Sequence, residues 1–196
     1  MEAFFEQELG EITARARALA ESGACPVVIA VDGMAASGKT TLAGLLAQRL
    51  DAAVVHMDDF FLRTEQRTAE RLAEPGGNVD RERFYEEVLR PLTRGREIFY
   101  RRYDCQTQAV LPPVPVAPKA LNIVEGAYSM HPALAGSYDL SAFLRISPAL
   151  QRSRIQKRNT PEMAERFFNL WIPLEQHYFE KTDAAARCGL ILEVEA

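Results

Sequence analysis

One short stretch of the sequence strongly limits what the chain can fold into: GMAASGKT, at positions 33–40. It matches the pattern G-x-x-x-x-G-K-[ST] in full, with the apolar run PVVIAVDG before it and the helical pattern KTTLAGLLAQRL after it. A glycine-rich turn between a buried strand and the start of a helix points backbone amides at an anion. The stretch therefore predicts a loop that binds the phosphates of a nucleotide.

The residue types in this loop predict its chemistry. Gly33 and Gly38 let the backbone curl around a phosphate. Lys39 is expected to reach the β- and γ-phosphates and to stabilise the migrating phosphoryl group, and the Thr40 hydroxyl is expected to bind Mg²⁺. The predicted cofactors are therefore ATP and Mg²⁺. The predicted nucleotide contacts are Gly33, Ala35, Ala36, Ser37, Gly38, Lys39, Thr40 and Thr41.

Apolar runs that alternate with helical patterns predict an α/β fold. Five buried strands are expected, in PVVIAVDG, AAVVHMDD, ALNIVEG, LSAFLRIS and GLILEVE. Because helices separate most of these strands, we expect a three-layer P-loop NTPase fold, with a mostly parallel five-stranded sheet between helices.

The sequence shows no internal repeat or domain boundary, so a single domain is expected over residues 1–196. Within it we expect an N-terminal amphipathic helix (1–24), a substrate hairpin with a proline-rich extended loop (97–118), and a helical lid (150–170). The apolar positions of the first helix are Phe4, Phe5, Leu9, Ile12, Ala16 and Leu19. Trp171 is expected to pack within its helix.

Composition argues against several classes of function. The net charge of −4 disfavours a general nucleic-acid-binding surface. The three cysteines have neither metal-site nor disulfide spacing, which is typical of a reduced compartment. No apolar run is long enough to span a bilayer, and the first residues lack the pattern of a signal peptide. We therefore expect a cytoplasmic protein without nucleic-acid or membrane partners; homo-oligomerisation is left open.

Acidic residues stand where three of the predicted strands end. In an open parallel sheet, ligands bind beyond the carboxyl ends of the strands, and Asp32, the pair Asp58 and Asp59, and Glu125 lie at such ends. Glu125 is expected to hold Mg²⁺. One aspartate of the pair could take a proton from an attacking hydroxyl, and strand alternation lets only one of them face the site. This set favours a small-molecule kinase over a GTPase or a motor ATPase.

From about Pro26 to the last strand, the ordered motifs resemble the uridine kinase family of P-loop kinases, which is related to phosphoribulokinase and bacterial pantothenate kinase. MDDFF resembles the family's Asp-Ser-Phe-Tyr motif, and NVDRERF resembles its Asn-Phe-Asp segment. YRRYD resembles the Tyr-Asp of its nucleoside-binding hairpin, IVEGAY its Glu-Gly strand end, and RIQKRN the start of its lid. The family's histidine after the hairpin Tyr-Asp and the second arginine cluster of its lid are absent here.

The resemblance implies roles for individual residues. Asp58 would be the general base near Mg²⁺, together with Thr40 and Glu125, whereas Asp59 falls where the family has a serine and should point away. The implied contacts are Asp80 to a ribose, Tyr103 to a base, and Arg154 and Arg158 to ATP. Of the two phenylalanines that follow the acids, we assign Phe61 to the substrate pocket and Phe60 to the core. Three alternatives stay open: Asp80 as a helix cap, Tyr103 as an ordinary strand aromatic, and the two arginines as a solvated face.

We therefore expect an ATP- and Mg²⁺-dependent kinase that phosphorylates a hydroxyl of a small metabolite, with a nucleoside such as uridine or cytidine as the leading acceptor. One alternative is a related kinase for another alcohol, such as pantothenate, a sugar phosphate or a different riboside. The other is a regulatory protein that binds a nucleotide and hydrolyses it slowly.

Overall fold

The structure, a computed structural model, describes residues 5–195. In chain order its strands are β1 (Val27–Gly33), β2 (Ala53–His56), β3 (Ile98–Tyr100), β4 (Tyr103–Asp104), β5 (Ala109–Val110), β6 (Val114–Val116), β7 (Leu121–Glu125), β8 (Leu140–Ile146) and β9 (Leu190–Val194). Its α-helices are α1 (Glu6–Glu21), α2 (Lys39–Leu50), α3 (Ala69–Ala73), α4 (Arg81–Phe84), α5 (Arg90–Leu92), α6 (Pro148–Arg158), α7 (Pro161–Arg166) and α8 (Ile172–Thr182). A π-helical segment, Tyr85–Leu89, joins α4 to α5, and another, Phe167–Trp171, joins α7 to α8.

The central sheet has the order β2–β7–β1–β8–β9, and all of its strand pairs are parallel. Its register aligns the carboxyl ends of three strands, because Glu125 of β7 lies opposite both Val31 of β1 and His56 of β2. The start of the glycine-rich loop and the two later acidic segments therefore meet at one edge of the sheet. The predicted α/β P-loop fold with a five-stranded sheet is confirmed.

Helices cover both faces of the sheet. On one face, α1 and α2 pack their apolar sides against alternate residues of β1, with Leu9 and Ile12 of α1 fully buried. On the other face, the helix from Arg81 to Leu92 and helix α8 enclose a second apolar cluster around Phe60 and Tyr178. Helix α1 lies within the segment predicted as an N-terminal amphipathic helix and packs on the sheet; Phe4 of that prediction lies outside the described residues. Between residues 5 and 195, no helix is both long enough and apolar enough to span a bilayer.

The predicted hairpin region consists of two short antiparallel ribbons. β4 pairs with β5, and β3 pairs with β6. The interpretation of the proline-rich segment as an extended loop was wrong for Val114–Val116, which forms β6. Pro115 lies opposite Phe99, and a proline is tolerated there because alternate residues of a two-stranded ribbon direct their N–H groups away from the partner.

Asp32 fastens the end of β1 to two other parts of the chain. Its Oδ1 accepts hydrogen bonds from the backbone amides of Gly33 (2.7 Å) and Tyr128 (3.2 Å). Its Oδ2 accepts hydrogen bonds from the Met130 amide (2.9 Å) and from the Tyr178 hydroxyl (2.8 Å). The side chain is fully buried, and burial raises the pKa of its carboxyl despite these donors. Asp32 therefore holds the frame of the site together and does not face a ligand.

The glycine-rich loop begins where β1 passes very close to β8. Gly33 has a φ of +143°, and a Cβ added there would lie 2.4 Å from the Leu144 carbonyl oxygen and 2.7 Å from its nitrogen. Both contacts are with backbone, which cannot rotate away as a side chain can. A side chain at this position is therefore excluded by the sheet itself, before any ligand is considered.

We expect Gly33→Ala to lower the free energy of unfolding by on the order of 2 kcal/mol or more, because it combines a steric clash with an unfavourable φ. Gly44→Ala is the matched control, since Gly44 lies within α2 and a Cβ there would meet nothing within 4 Å. It should stabilise the protein by about 1 kcal/mol or less, through helix propensity. Urea denaturation of both variants measures the two changes. Equal stabilities would contradict the close approach of β1 and β8.

Candidate active site

The glycine-rich loop leaves β1 at Gly33 and enters α2 at Lys39. Ala36 and Gly38 take left-handed backbone conformations, with φ values of +60° and +103°, which close the loop into a tight turn. The Lys39 ammonium group lies over this turn, donating hydrogen bonds to the carbonyl oxygens of Gly33 (2.8 Å) and Met34 (3.0 Å). The loop thus places a cation and the start of a helix at the same point, as anion binding requires.

A carboxylate faces the loop from the neighbouring strand. Glu125, at the end of β7, accepts a hydrogen bond from the Thr40 hydroxyl, at 3.2 Å to one carboxylate oxygen and 3.3 Å to the other. On its other side, the Nδ1 atom of His56 lies 2.5 Å from Oε1. This hydrogen bond raises the pKa of the His56 imidazole. Glu125 is therefore oriented by two partners, a role for His56 that the sequence pattern did not predict.

The donor set around Thr40 fits Mg²⁺. The hydroxyl of Thr40 and the carboxylates of Glu125 and Asp58 line one cavity. Within residues 5–195, no group of three His, Cys, Asp or Glu side chains is arranged as a protein-only metal cage. Mg²⁺ does not need such a cage, because it is usually held by one or two carboxylates, by waters and by substrate phosphates.

The two adjacent aspartates lie on a 3₁₀ turn, Met57–Phe60, and not on the strand, which ends at His56. Strand alternation was therefore the wrong reason to separate them. On a helix with three residues per turn, neighbouring side chains diverge by about 120°, which has the same effect. Asp58 lines the cavity beside Lys39, whereas Asp59 accepts a hydrogen bond from the Tyr100 hydroxyl at 2.9 Å.

The surroundings of the two aspartates differ in consequence. Desolvation in the cleft raises the pKa of the Asp58 carboxyl, while the charge of Lys39 acts against that rise. The partner of Asp59 is Tyr100, whose pKa is raised to about 12 by burial and by the nearby carboxylate. The expectation that Asp59 points away holds in this geometry.

Two adjoining cavities occupy this side of the molecule. The P-loop cavity, of about 370 Å³, is lined by Ala35, Ala36, Gly38, Lys39, Thr40, Thr41, Asp58, Phe61, Asn78, Cys105, Glu125, Ala127, Tyr128, Arg158, Phe167, Trp171 and Glu175. The apolar cavity, of about 580 Å³, shares four of these wall residues, namely Phe61, Asn78, Cys105 and Trp171. Phe61 lines both cavities while Phe60 is fully buried, as assigned from the sequence. Trp171, expected to pack within its helix, also lines both.

Helix α6 contacts the backbone of the loop with two side chains. Gln151 donates a hydrogen bond to the Ala35 carbonyl (3.0 Å), and Arg154 donates one to the Ala36 carbonyl (3.2 Å). Arg158, one turn further along, lines the P-loop cavity with its guanidinium 5.4 Å from the centre of the Phe167 ring. Of the two predicted lid arginines, Arg158 is the one whose side chain faces the nucleotide space, and Arg154 supports the loop.

Glu175 is a site residue that the sequence reasoning missed. Its Oε2 accepts a hydrogen bond from the amide of Ala35 (2.8 Å), so α8 as well as α6 holds the loop at this residue. Burial raises the pKa of its carboxyl to about 7, while the charge of Lys39 acts in the opposite direction. The signal in the sequence was its position three residues before Tyr178, which places an acid on the inner face of an amphipathic helix.

Neither of the two remaining substrate candidates lines either cavity. Asp80 caps α4 by accepting a hydrogen bond from the Arg83 amide (3.1 Å), and its second oxygen accepts one from Gln66 (3.0 Å). The capping alternative is therefore the one that the structure forms. Tyr103 is buried, and its hydroxyl accepts a hydrogen bond from Arg67 (3.3 Å). Their contacts with a ribose and a base stay predictions that would require both side chains to be uncovered.

The segment between the 3₁₀ turn and Asp80 is tied together at its base. Leu62 donates a backbone hydrogen bond to Asn78 (3.2 Å), and Asp80 donates one to Phe60 (2.7 Å). Residues 63–77 form a loop above this base, and they include Arg67 and Leu72 of the apolar cavity wall.

The comparisons with known proteins agree with this geometry. No family model matches the sequence. Among solved structures, a "possible uridine kinase" from Bacillus stearothermophilus is 21% identical, with a TM-score of 0.66 over 93% of this chain and 99% of that one. A "putative fructose transport system kinase" from Silicibacter sp. TM1040 is 22% identical, with a TM-score of 0.69 over 94% and 98%. YFH7 from Saccharomyces cerevisiae, a "putative P-loop containing kinase", is 12% identical, with a TM-score of 0.66 over 97% and 99%. At these identities the likeness shows the fold, which is that of the P-loop kinases.

Glu175 gives the site a pH dependence that can be measured. Its pKa in the folded protein is about 7, against an ordinary value of 4.5. Glu175 therefore loses its proton at a lower pH in the unfolded chain than in the folded protein. As a result, the free energy of unfolding falls as the pH rises from about 4.5 to about 7. We expect Glu175→Gln to remove this loss. As the pH rises across that range, the free energy of unfolding of the variant should increase relative to that of the wild type by up to about 3 kcal/mol.

Chemical denaturation at a series of pH values, without nucleotide, measures the difference. Glu180→Gln is the matched control, because it removes the same charge from an exposed position on the same helix. The control should follow the wild type at every pH. Parallel curves for wild type and Glu175→Gln would contradict a buried, protonated Glu175 at mildly acidic pH.

Proposed function

We propose that the protein is an ATP- and Mg²⁺-dependent kinase that transfers the γ-phosphoryl group to a hydroxyl of a small metabolite. One observation carries this proposal: Asp58 lies at the P-loop cavity beside Lys39, where a second cavity adjoins it. A phosphate-binding loop alone serves many reactions. A carboxylate between a nucleotide space and a separate ligand space is what transfer to a second substrate requires.

In the proposed reaction, the loop amides and Lys39 hold the phosphates of ATP, and Thr40 and Glu125 hold Mg²⁺. Mg²⁺ held by these residues would supply positive charge that neutralises the phosphates. Asp58 accepts the proton of the acceptor hydroxyl. At the same time the hydroxyl oxygen bonds to the γ-phosphorus, and the bond between that phosphorus and ADP breaks. The raised pKa of Asp58 makes it a better base than an ordinary aspartate. Arg158 contributes charge from the lid side.

The family resemblance favours a nucleoside such as uridine or cytidine as the acceptor. The fold neighbour described as a possible uridine kinase supports this choice, and the one described as a fructose transport system kinase supports a sugar. A different riboside, a sugar phosphate or pantothenate are further candidates. We also propose a cytoplasmic location, with the acceptor as the only partner that the proposed reaction needs.

The alternative from another class is a regulatory protein that hydrolyses ATP slowly. The apolar cavity next to Asp58 counts against this alternative, because a regulator that only senses ATP has no use for a second ligand cavity beside a carboxylate.

ATP turnover measured with and without a panel of alcohols tests the proposal. We expect at least one acceptor to raise turnover well above the rate with water alone, with a phosphorylated product seen by mass spectrometry. Lys39→Ala should lower that rate on the order of 10²-fold or more, because the migrating phosphoryl group loses its main protein cation. Turnover that no acceptor changes would favour the regulatory alternative.

The adjacent aspartates provide a matched pair of variants. Asp58→Asn keeps the size of the side chain and removes the base, so transfer should fall on the order of 10²-fold or more while ATP still binds. Asp59→Asn removes the same charge one residue away and should cost far less, because Asp59 contacts Tyr100 and not the cavity. Steady-state kinetics and ATP titration of both variants decide the assignment. The reverse pattern would move the general base to Asp59.

A further inference from the structure

The walls of the apolar cavity have a distinct chemistry. The cavity has a volume of about 580 Å³, enough for a small metabolite. Most of its walls are apolar side chains, which are Phe61, Leu62, Leu72, Met163, Leu170, Trp171 and Leu174. A cavity built to hold only a polyol or a free sugar would need hydroxyl-binding groups over much of this surface, since each buried hydroxyl needs a partner.

The mouth of this cavity also exposes large apolar side chains. Leu72, Met163 and Leu170 are 37%, 37% and 47% exposed, and they belong to three separate elements of the chain. Exposed apolar area in water is unfavourable, so an apolar ligand that covers these side chains gains binding energy there. Their convergence on one cavity points to a ligand with an apolar body.

The charged groups of the cavity all have one sign. Arg67 and Arg166 line it, and no carboxylate does. Arg67 donates to the Leu62 carbonyl and to the Tyr103 hydroxyl, and Arg166 lies 5.5 Å from the centre of the Trp171 ring. Within residues 5–195, neither arginine forms an ion pair with an acidic side chain. Two guanidinium groups without acidic partners beside an apolar surface suit a carboxylate or a phosphate.

The position of Cys105 relates these arginines to the proposed base. Burial raises the pKa of the Cys105 thiol, the charges of Asp104 and Asp58 add to that rise, and those of Arg67 and Arg166 act against it. Cys105 lines the apolar cavity together with both arginines, and it lines the P-loop cavity together with Asp58. Since Cys105 lines both cavities, a ligand in the apolar cavity can place an anionic group at the arginines and a hydroxyl towards Asp58.

We propose that the acceptor is an amphipathic alcohol, which has an apolar body in the cavity and an anionic group at Arg67 and Arg166. This proposal rests on the proposed kinase function and specifies its substrate class. It departs from a neutral nucleoside, for which the two residues implied by the family resemblance, Asp80 and Tyr103, face neither cavity.

An acceptor panel that separates charge from apolarity tests the proposal. Pantothenate has an anionic group and an apolar body, and panthenol has the same body without the charge. A sugar phosphate has only the charge, and uridine has neither feature. We expect kcat/KM to be highest for the anionic, apolar acceptor, by about 10-fold or more over its neutral counterpart, since a charged hydrogen bond is lost. Equal values for the two, or a preference for uridine, would overturn the proposal.

Arg166→Gln should lower kcat/KM for the anionic acceptor by about 10-fold or more, mainly because KM rises. The kcat/KM for the neutral acceptor should stay nearly unchanged. Arg152→Gln is the matched control, because Arg152 also stacks on a ring, that of Phe168, but lies outside both cavities. An Arg166→Gln variant that loses activity equally on both acceptors would assign this arginine to structure alone.

A binding measurement keeps this inference separate from the kinase function. The fluorescent probe 1-anilinonaphthalene-8-sulfonate is apolar and anionic, and N-phenyl-1-naphthylamine is its neutral counterpart. The anionic probe should bind the wild-type protein more tightly, and Arg166→Gln, but not Arg152→Gln, should remove the difference. This result without phosphorylation of any acceptor would retain the site and reject the kinase. Kinase activity together with equal binding of both probes would retain the kinase and reject the site.

Discussion

Four hydrogen-bond donors surround the buried carboxylate of Asp32 at the end of the central strand. They come from the strand end itself, from the loop after β7 and from α8. Because a buried carboxylate is costly unless donors surround it, these segments must assemble together. The glycine-rich loop starts at the next residue, and α8 carries Glu175 to that loop. The positions of the loop, of the strand end bearing Glu125 and of α8 thus depend on one side chain that touches no ligand.

The acidic residues at the sheet edge have different roles because they are buried to different degrees. Asp32 is enclosed and holds the frame, Glu125 lines the cavity and is oriented by Thr40 and His56, and Asp58 lines the same cavity beside Lys39 and is the most exposed of the three. Sequence position could not separate these roles, because all three residues follow apolar strands. The difference comes from what packs over each strand end, which distant segments supply.

The sequence could predict the features that depend on residues close together in the chain, and it could not predict those that depend on distant contacts. The parallel sheet and the glycine-rich loop depend on short-range pattern and were accessible. The divergence of Asp58 and Asp59 was expected from strand geometry, which the 3₁₀ turn replaces, and the choice of Asp58 as the base came from the family resemblance and stays a prediction. The contacts of Glu175 and Gln151 with Ala35 span more than a hundred residues and were not. The proline-rich segment was wrongly predicted to be a loop, because its strand β6 forms by pairing with β3, which lies about 16 residues earlier in the sequence. Asp80 had two local interpretations, and only the packing of Gln66 and Arg83 over it selected the cap.

The loop of residues 63–77 has a consequence for how proteins of this fold can diversify. Its base is closed by backbone hydrogen bonds between Leu62 and Asn78 and between Phe60 and Asp80, which are independent of side-chain identity. The residues above that base supply Arg67 and Leu72 to the apolar cavity, but none of the strands of the sheet. Mutations there can alter what the cavity accepts while the residues that handle phosphate keep their geometry. The geometry of the glycine-rich loop and the selectivity of the apolar cavity can therefore evolve on separate parts of the same chain.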